Sequence, residues 1–230
     1  MTALGIIFDC DGVLVDSEPL ASRVLAECLC EVGMEISPLD ADLRYRGKSL
    51  RDVFLEVEAT LEQQLPPDFG ARLNLQTQSL FDQELKAVEG VEDVLKALQE
   101  AKIPLCVASS GSPQKIAHSL ELVGLTDYFE GRLFSALQVQ HGKPAPDLFL
   151  YAASQLGLKP ESCAVIEDSL PGILGAKQAN TKVFGYAART PRADIQQLEA
   201  TAFDTMKELQ ILLEQWQPQD LQTQNLATSF

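Results

Sequence analysis

An α/β fold built on a parallel sheet is what this sequence predicts, and three observations predict it. Short apolar runs recur without polar alternation, as in strands buried on both faces. Most of these runs are separated by amphipathic helical patterns, so strand and helix alternate. One long segment, residues 19–85, holds several helical patterns and no convincing strand, which marks a helical insertion.

The first strand is LGIIFD, residues 4–9. Three more runs share its character: IPLCVASS (103–110), CAVIED (163–168) and TKVFGY (181–186), with a weaker one in GRLFSA (131–136). Helices are expected in VEDVLKALQEA (91–101) and in SPQKIAHSLELVGL (112–125). In the second of these Ser112 serves as N-cap, Pro113 holds the first helical position and Gly124 stands near the end. PDLFLYAASQLGL (146–158) repeats the layout, and GILGAKQA (172–179) is shorter. In the insertion, helices are read in PLASRVLAECLCEVG, in SLRDVFLEVEATLEQQL up to Pro66, and in FGARLNLQTQSLFDQEL. Asp16 or Ser17 is placed to cap the first of them, with Pro19 in its first turn. The result is a Rossmann-like parallel sheet with helices on both faces, formed by residues 1–16 and 87–216. A helical domain is inserted at 17–86, and a polar, Gln-rich tail follows at 217–230.

Composition narrows the function. The chain has 230 residues, 46% of them hydrophobic, enough for a full core. Its formal net charge is −15, which repels nucleic acid and anionic membrane, so neither is an expected partner. Bulk repulsion extends to phosphorylated metabolites, so an anion site here needs a metal, a lysine or backbone amides to reverse the field locally. No signal-peptide pattern or membrane-length apolar run is present. The five cysteines form no CxxC pair, and Cys10, Cys106 and Cys163 sit in or beside strand-like runs, where the residue acts as a small hydrophobe. A cytoplasmic protein is expected. With no sustained heptad or long edge strand, a monomer is expected too.

In an open parallel sheet, ligands sit beyond the carboxyl ends of the strands. The first strand ends at Asp9, with Asp11 following. The second ends at Ser109, Ser110 and Gly111, just before a helix N-terminus, and another ends at Glu167 and Asp168. Clustered carboxylates call for a counter-charge, and Mg²⁺ suits oxygen ligands while keeping places for water and phosphate. Asp9, Asp168 and Glu167 are the candidate side-chain ligands. Gly12 lets the backbone turn so that the Asp11 carbonyl can face the ion. Taken singly, each piece has a plainer reading: DxD as a turn, Ser-Ser-Gly as a cap, HGKPAPD as a loop, Lys143 as an exposed lysine. Their order along the chain, each at a strand end or in an adjacent loop, favours a site.

DCDGVLVDS (9–17), VASSG (107–111), GKPAPDLF (142–149) and VIEDSLPGILGAKQA (165–179) together resemble the haloacid dehalogenase superfamily. The likeness covers the core, residues 1–16 and 89–186. The insertion resembles the cap of the subclass that includes phosphoglycolate phosphatases, β-phosphoglucomutases and sugar-phosphate phosphatases. LFDQELKAVEGVEDVL (80–95) and the layout also resemble bacterial 6-phosphogluconate phosphatases, a weaker likeness.

The resemblance implies that Asp9 attacks phosphorus and forms an aspartyl-phosphate that water hydrolyses. Asp11 would protonate the leaving alkoxide and then activate the water, its side chain turned away from the metal. Ser109, with the amides of Ser110 and Gly111, would bind the phosphoryl oxygens, and Lys143 would add fixed positive charge. Metal ligation would fall to Asp9, Asp11, Glu167 and Asp168. The substrate is expected to be a small phosphorylated metabolite, a sugar phosphate or sugar-acid phosphate. Glu18, Arg46 and Lys48 are the cap residues placed to meet it; for YRGKSLRD (45–52) the alternative is a solvated helix start. His118 and His141 are read as structural or solvated.

A mutase of the β-phosphoglucomutase kind is the first rival. Its cap carries a histidine five places after the residue matching Asp16, where this chain has Ala21. A haloacid dehalogenase proper needs no Mg²⁺ and lacks the partner supplied here by Asp11. A phosphonatase needs a cap lysine, for which Lys48 is the candidate. The rival of a different class is a binding module that keeps the fold and has lost the chemistry.

Overall fold

A computed structural model describes residues 4–46 and 48–216. The tail at 217–230, and Gly47 within YRGKSLRD, lie outside the described residues. The chain divides into two compact units, residues 16–86 and the two flanking segments together.

The flanking segments form the α/β unit. Its described elements are β1 (Gly5–Phe8), then, beyond the insertion, α5 (Val91–Glu100), β2 (Leu105–Ser109), α6 (Pro113–Leu122) and β3 (Leu133–Ser135). These are followed by α7 (Asp147–Gln155), β4 (Cys163–Glu167), α8 (Leu170–Gln178), β5 (Lys182–Tyr186), α9 (Arg192–Gln197), β6 (Thr201–Phe203) and α10 (Met206–Gln215). The strands run parallel in the order β3-β2-β1-β4-β5-β6. Chain order reverses between β1 and β4, which makes their carboxyl ends the switch point where ligands bind in open sheets of this kind.

The register explains why the strands are apolar throughout. Ile7 stands opposite Cys106 on one side and Val165 on the other. These side chains share a pleat, and they pack with Leu148, Phe149 and Ala152 of α7 and Ile173 and Ala176 of α8. Their neighbours Ile6, Phe8, Val107 and Ile166 point the other way and are also buried. Phe8 meets Phe129 edge-on, with ring centroids 6.2 Å apart. Cys10, Cys106 and Cys163 are buried free thiols, as expected of small hydrophobes.

Local signals hold where they were read. Ser112 caps α6 by accepting from Lys115 N at 3.2 Å, and Pro113 is its first residue. Gly124 and Gly157 follow their helices at positive φ. Three elements of this unit escaped the pattern: α9, β6 and α10. β6 is a three-residue edge strand, too short for periodicity to register. A Thr205–Glu208 cap opens α10 and was its overlooked signal.

The other unit holds α1 (Glu18–Glu31), α2 (Pro38–Tyr45), α3 (Leu50–Leu61) and α4 (Phe69–Glu84). Val24, Leu29, Tyr45, Val53, Val57 and Phe69 form its core. α2 was not anticipated, although Ser37-Pro38 is a helix start and Ser37 Oγ accepts from Asp40 N at 3.1 Å. One cap expectation fails. Ser17 is the N-cap residue of α1 but makes no side-chain capping bond, because its backbone is already in the right-handed helical region at ψ −27°. Among the described residues no helix is long and apolar enough to cross a membrane.

Candidate active site

Asp9 follows β1 directly and extends its pairing, its N–H donating to Ile166 O at 2.9 Å. That bond ties the Asp9 backbone to β4, and Glu167 and Asp168 follow Ile166 in sequence. Oxygens of Asp9, Glu167 and Asp168 all lie within 4.8 Å of one another. Residues 158 positions apart meet because β1 and β4 are neighbours and end at the same level.

Lys143 closes the cluster. Its Nζ donates to Asp9 Oδ1 at 2.7 Å and to Glu167 Oε1 at 2.6 Å, and its side chain is only 6% exposed. It sits in the loop before α7, next to a cis Lys143–Pro144 bond. The loop approaches α8 so closely that a Cβ on Gly175 would meet Ala145 O at 2.9 Å. Glu167 is wholly buried and takes two further bonds at Oε2, from Ser169 N at 2.7 Å and Ser169 Oγ at 2.9 Å. On the far side of the turn, a Cβ on Gly12 would strike Asp168 Oδ2 at 2.1 Å. Gly12 has φ +79°, so both its conformation and its lack of a side chain are used.

The cluster gathers charge in a buried place. Lys143 is shared between two of the three carboxylates, Asp9 and Glu167. Burial pushes the Asp9 carboxyl up, Glu167 adds to the push, and Lys143 only partly opposes it, leaving Asp9 at about 7. Burial alone would lower Lys143, but Asp9 and Glu167 outweigh it and hold the ammonium charged well above its ordinary range. A hard divalent cation fits this donor set, which is all carboxylate oxygen.

Asp11 turns elsewhere. Its Oδ2 accepts from Lys115 Nζ at 2.6 Å, and its carboxylate is not one of the three clustered above. Sequence reasoning had the side chain turned away, but not toward Lys115. Ser109, buried at the end of β2, accepts from Gly111 N at 3.1 Å, so this amide is engaged within its own loop. Ser135 Oγ donates to Gly111 O at 2.6 Å and fixes the loop from β3. Ser110 is exposed between them.

The remaining cap candidates lie in the inserted unit. Glu18 opens α1 and is half-buried. Arg46 pairs with Asp42 within its own helical segment, and Lys48 donates to Glu56 at 2.5 Å. Both cations therefore already have acidic partners in that unit. His141 Nδ1 lies 3.1 Å from Asp147 and is exposed, and His118 is a half-buried residue of α6.

Sequence reasoning missed Lys115, Ser135, Ser169, Gly172 and Gly175. The two glycines, three apart in PGILGAKQA, were the available signal: glycine in a helix interior costs about 1 kcal/mol against alanine and asks for a packing reason.

The profile of the haloacid dehalogenase-like hydrolases matches residues 4–180. The 6-phosphogluconate phosphatase of Escherichia coli is 31% identical over 208 residues, 89% of this chain and 91% of that one. A phosphorylated carbohydrates phosphatase of Thermotoga maritima is 31% identical over 192 residues, 78% of this chain and 83% of that one. Among solved structures, a conserved haloacid dehalogenase-like protein of unknown function from Agrobacterium tumefaciens superposes with a TM-score of 0.83 at 31% identity. It covers 93% of this chain and 98% of its own. A putative β-phosphoglucomutase from Thermotoga maritima gives a TM-score of 0.79 at 27% identity, covering 94% and 100%.

Proposed function

The chain belongs to the haloacid dehalogenase-like hydrolases, and on that premise we propose that it is a Mg²⁺-dependent phosphatase of small phosphorylated metabolites, sugar phosphates or sugar-acid phosphates. The observation that carries the reading is the convergence of Asp9, Glu167 and Asp168 on one point, with Lys143 bonded to Asp9. The activities for which the Escherichia coli and Thermotoga maritima relatives are named support the substrate class.

Asp9 Oδ attacks phosphorus, the ester P–O bond breaks, and an aspartyl-phosphate forms. Asp11 gives its proton to the departing alkoxide, then takes one from the water that cleaves the aspartyl-phosphate. Lys143 orients Asp9 through the Oδ1 contact and adds positive charge where the phosphoryl group must come. Ser109, at the end of β2, and the amides that follow receive the remaining phosphoryl oxygens. Mg²⁺ held by Asp9, Asp168 and the Asp11 carbonyl, with Glu167 beside them, would keep Asp9 ionised and neutralise phosphate charge.

The mutase reading has a structural neighbour named for that activity. Ala21, in α1, stands where such a cap carries its histidine, which favours the phosphatase. The test is a screen of phosphorylated sugars, sugar acids and glycolate, with and without Mg²⁺, scoring both phosphate release and isomer formation. Release that needs Mg²⁺ and vanishes in Asp9→Asn is expected. Isomer formation without release would overturn the choice, and no turnover of any phosphomonoester would return the protein to the binding-module reading.

A further inference from the structure

We infer that Lys115 is a positioning residue for the acid/base step, holding the Asp11 carboxyl in its working orientation; this rests on the role proposed above for Asp11. Three observations point to it. Lys115 Nζ donates to Asp11 Oδ2 at 2.6 Å, across 104 residues of chain. Its backbone is fixed at the third position of α6, where its N–H donates to the Ser112 cap. Its aliphatic stem runs along Gly111, where a Cβ would lie 3.4 Å from Lys115 Cδ. Helix cap, stem and ammonium thus lead from the loop after β2 to the turn after β1, joining the candidate phosphoryl cradle to the candidate acid.

Two groups that exchange a proton must meet in a narrow geometry. A short aspartate side chain rotates about two bonds and has several staggered positions open to it. A grip at Oδ2 favours the one that keeps this bond. The grip also survives the chemistry: with the proton on Oδ1, the carboxylic acid still accepts from the ammonium through Oδ2. Lys115 therefore touches neither phosphorus nor leaving group in this role, and acts through Asp11.

The test uses leaving groups. An alkyl phosphate needs its alkoxide protonated, whereas p-nitrophenolate departs unaided. Because kcat/KM reports through leaving-group departure, Lys115→Met should lose about 10-fold or more on a sugar phosphate, within the range general acid catalysis supplies. On p-nitrophenyl phosphate the same variant should lose about 3-fold at most. Lys115→Arg should recover part of the loss. In an Asp11→Asn background, Lys115→Met should cost little more, since coupled residues are non-additive. A crystal structure of Lys115→Met should show the Asp11 side chain rotated from its present position. Equal losses on both substrates, additive losses with Asp11→Asn, or an unmoved Asp11 would each overturn the inference and leave the phosphatase reading intact. A wild-type enzyme that hydrolyses neither substrate would overturn both, and an Asp11→Asn variant with full activity would overturn the inference together with the role proposed for Asp11.

Discussion

The carboxylate of Glu167 occupies the place where a side chain on Gly172 would have to stand: a Cβ built there meets Glu167 Oε1 at 1.7 Å. Gly172 lies in the first turn of α8, so its amide also reaches Ser169 Oγ at 3.1 Å. The glycine is thus a socket for the buried acid that holds Lys143.

Gly172→Ala sets two effects against each other. Helix propensity favours alanine by up to about 1 kcal/mol. Overpacking at a buried site costs about 1–3 kcal/mol, and here the obstructing atom is a carboxylate held by three hydrogen bonds. Net destabilisation is expected in chemical denaturation, with a fall in kcat as Lys143 loses its second partner. A variant as stable and active as wild type would show that Glu167 can move freely.

Lys143→Met leaves Asp9 and Glu167 buried without their shared cation. Removing one partner of a buried pair costs about 3–5 kcal/mol. Denaturation in chelator should show a loss of this order, and saturating Mg²⁺ should recover part of it by supplying charge to the same oxygens. Turnover should fall by about 100-fold or more, as for loss of a fixed transition-state charge. A small loss that Mg²⁺ does not relieve would separate Lys143 from the cation site.

Metal binding should register in stability independently of turnover. A ligand at a hundred times its Kd stabilises the folded state by about 2.7 kcal/mol. The wild-type melting temperature should therefore rise when Mg²⁺ replaces chelator, and Asp168→Asn should abolish most of the rise. An undiminished rise in that variant would place the ion elsewhere.

Asp9 makes the metal-free protein pH-sensitive. Its folded value, about 7, stands above the ordinary 3.8, so between these values the folded chain keeps a proton that the unfolded chain has lost. Its contribution to stability is therefore complete below about 3.8 and declines as pH rises through about 7. In chelator, wild type should lose stability from pH 5 to pH 8 relative to Asp9→Asn, which carries no such proton. Parallel profiles for the two proteins would contradict the burial-driven shift.

The strands were legible because a parallel sheet buries both pleats, so β1, β2, β4 and β5 read as unbroken apolar runs. The edge strand β6 and the short α9 were not, since three to six residues carry too little periodicity. The inserted unit showed its helical character through long patterns, while the eight-residue α2 was passed over despite its Ser37-Pro38 start.

Asp9, Asp11, Glu167 and Asp168 could be singled out from sequence because charge beside a buried strand is costly and demands a reason, and Lys143 because its loop resembles a family motif. Which groups would face one another could not. Lys115 looks like any surface lysine until α6 delivers it to Asp11, and Arg46 and Lys48 look available until Asp42 and Glu56 take them. Gly172 and Gly175 look like weak points in a helix until Glu167 and the Lys143 loop fill the space beside them. Sequence by itself determined the strand ends and the kinds of chemical group gathered there, because burial and periodicity are local properties of the chain. Tertiary structure alone decided the pairings, because charges and close approaches act through space, between residues that the sheet order brings together.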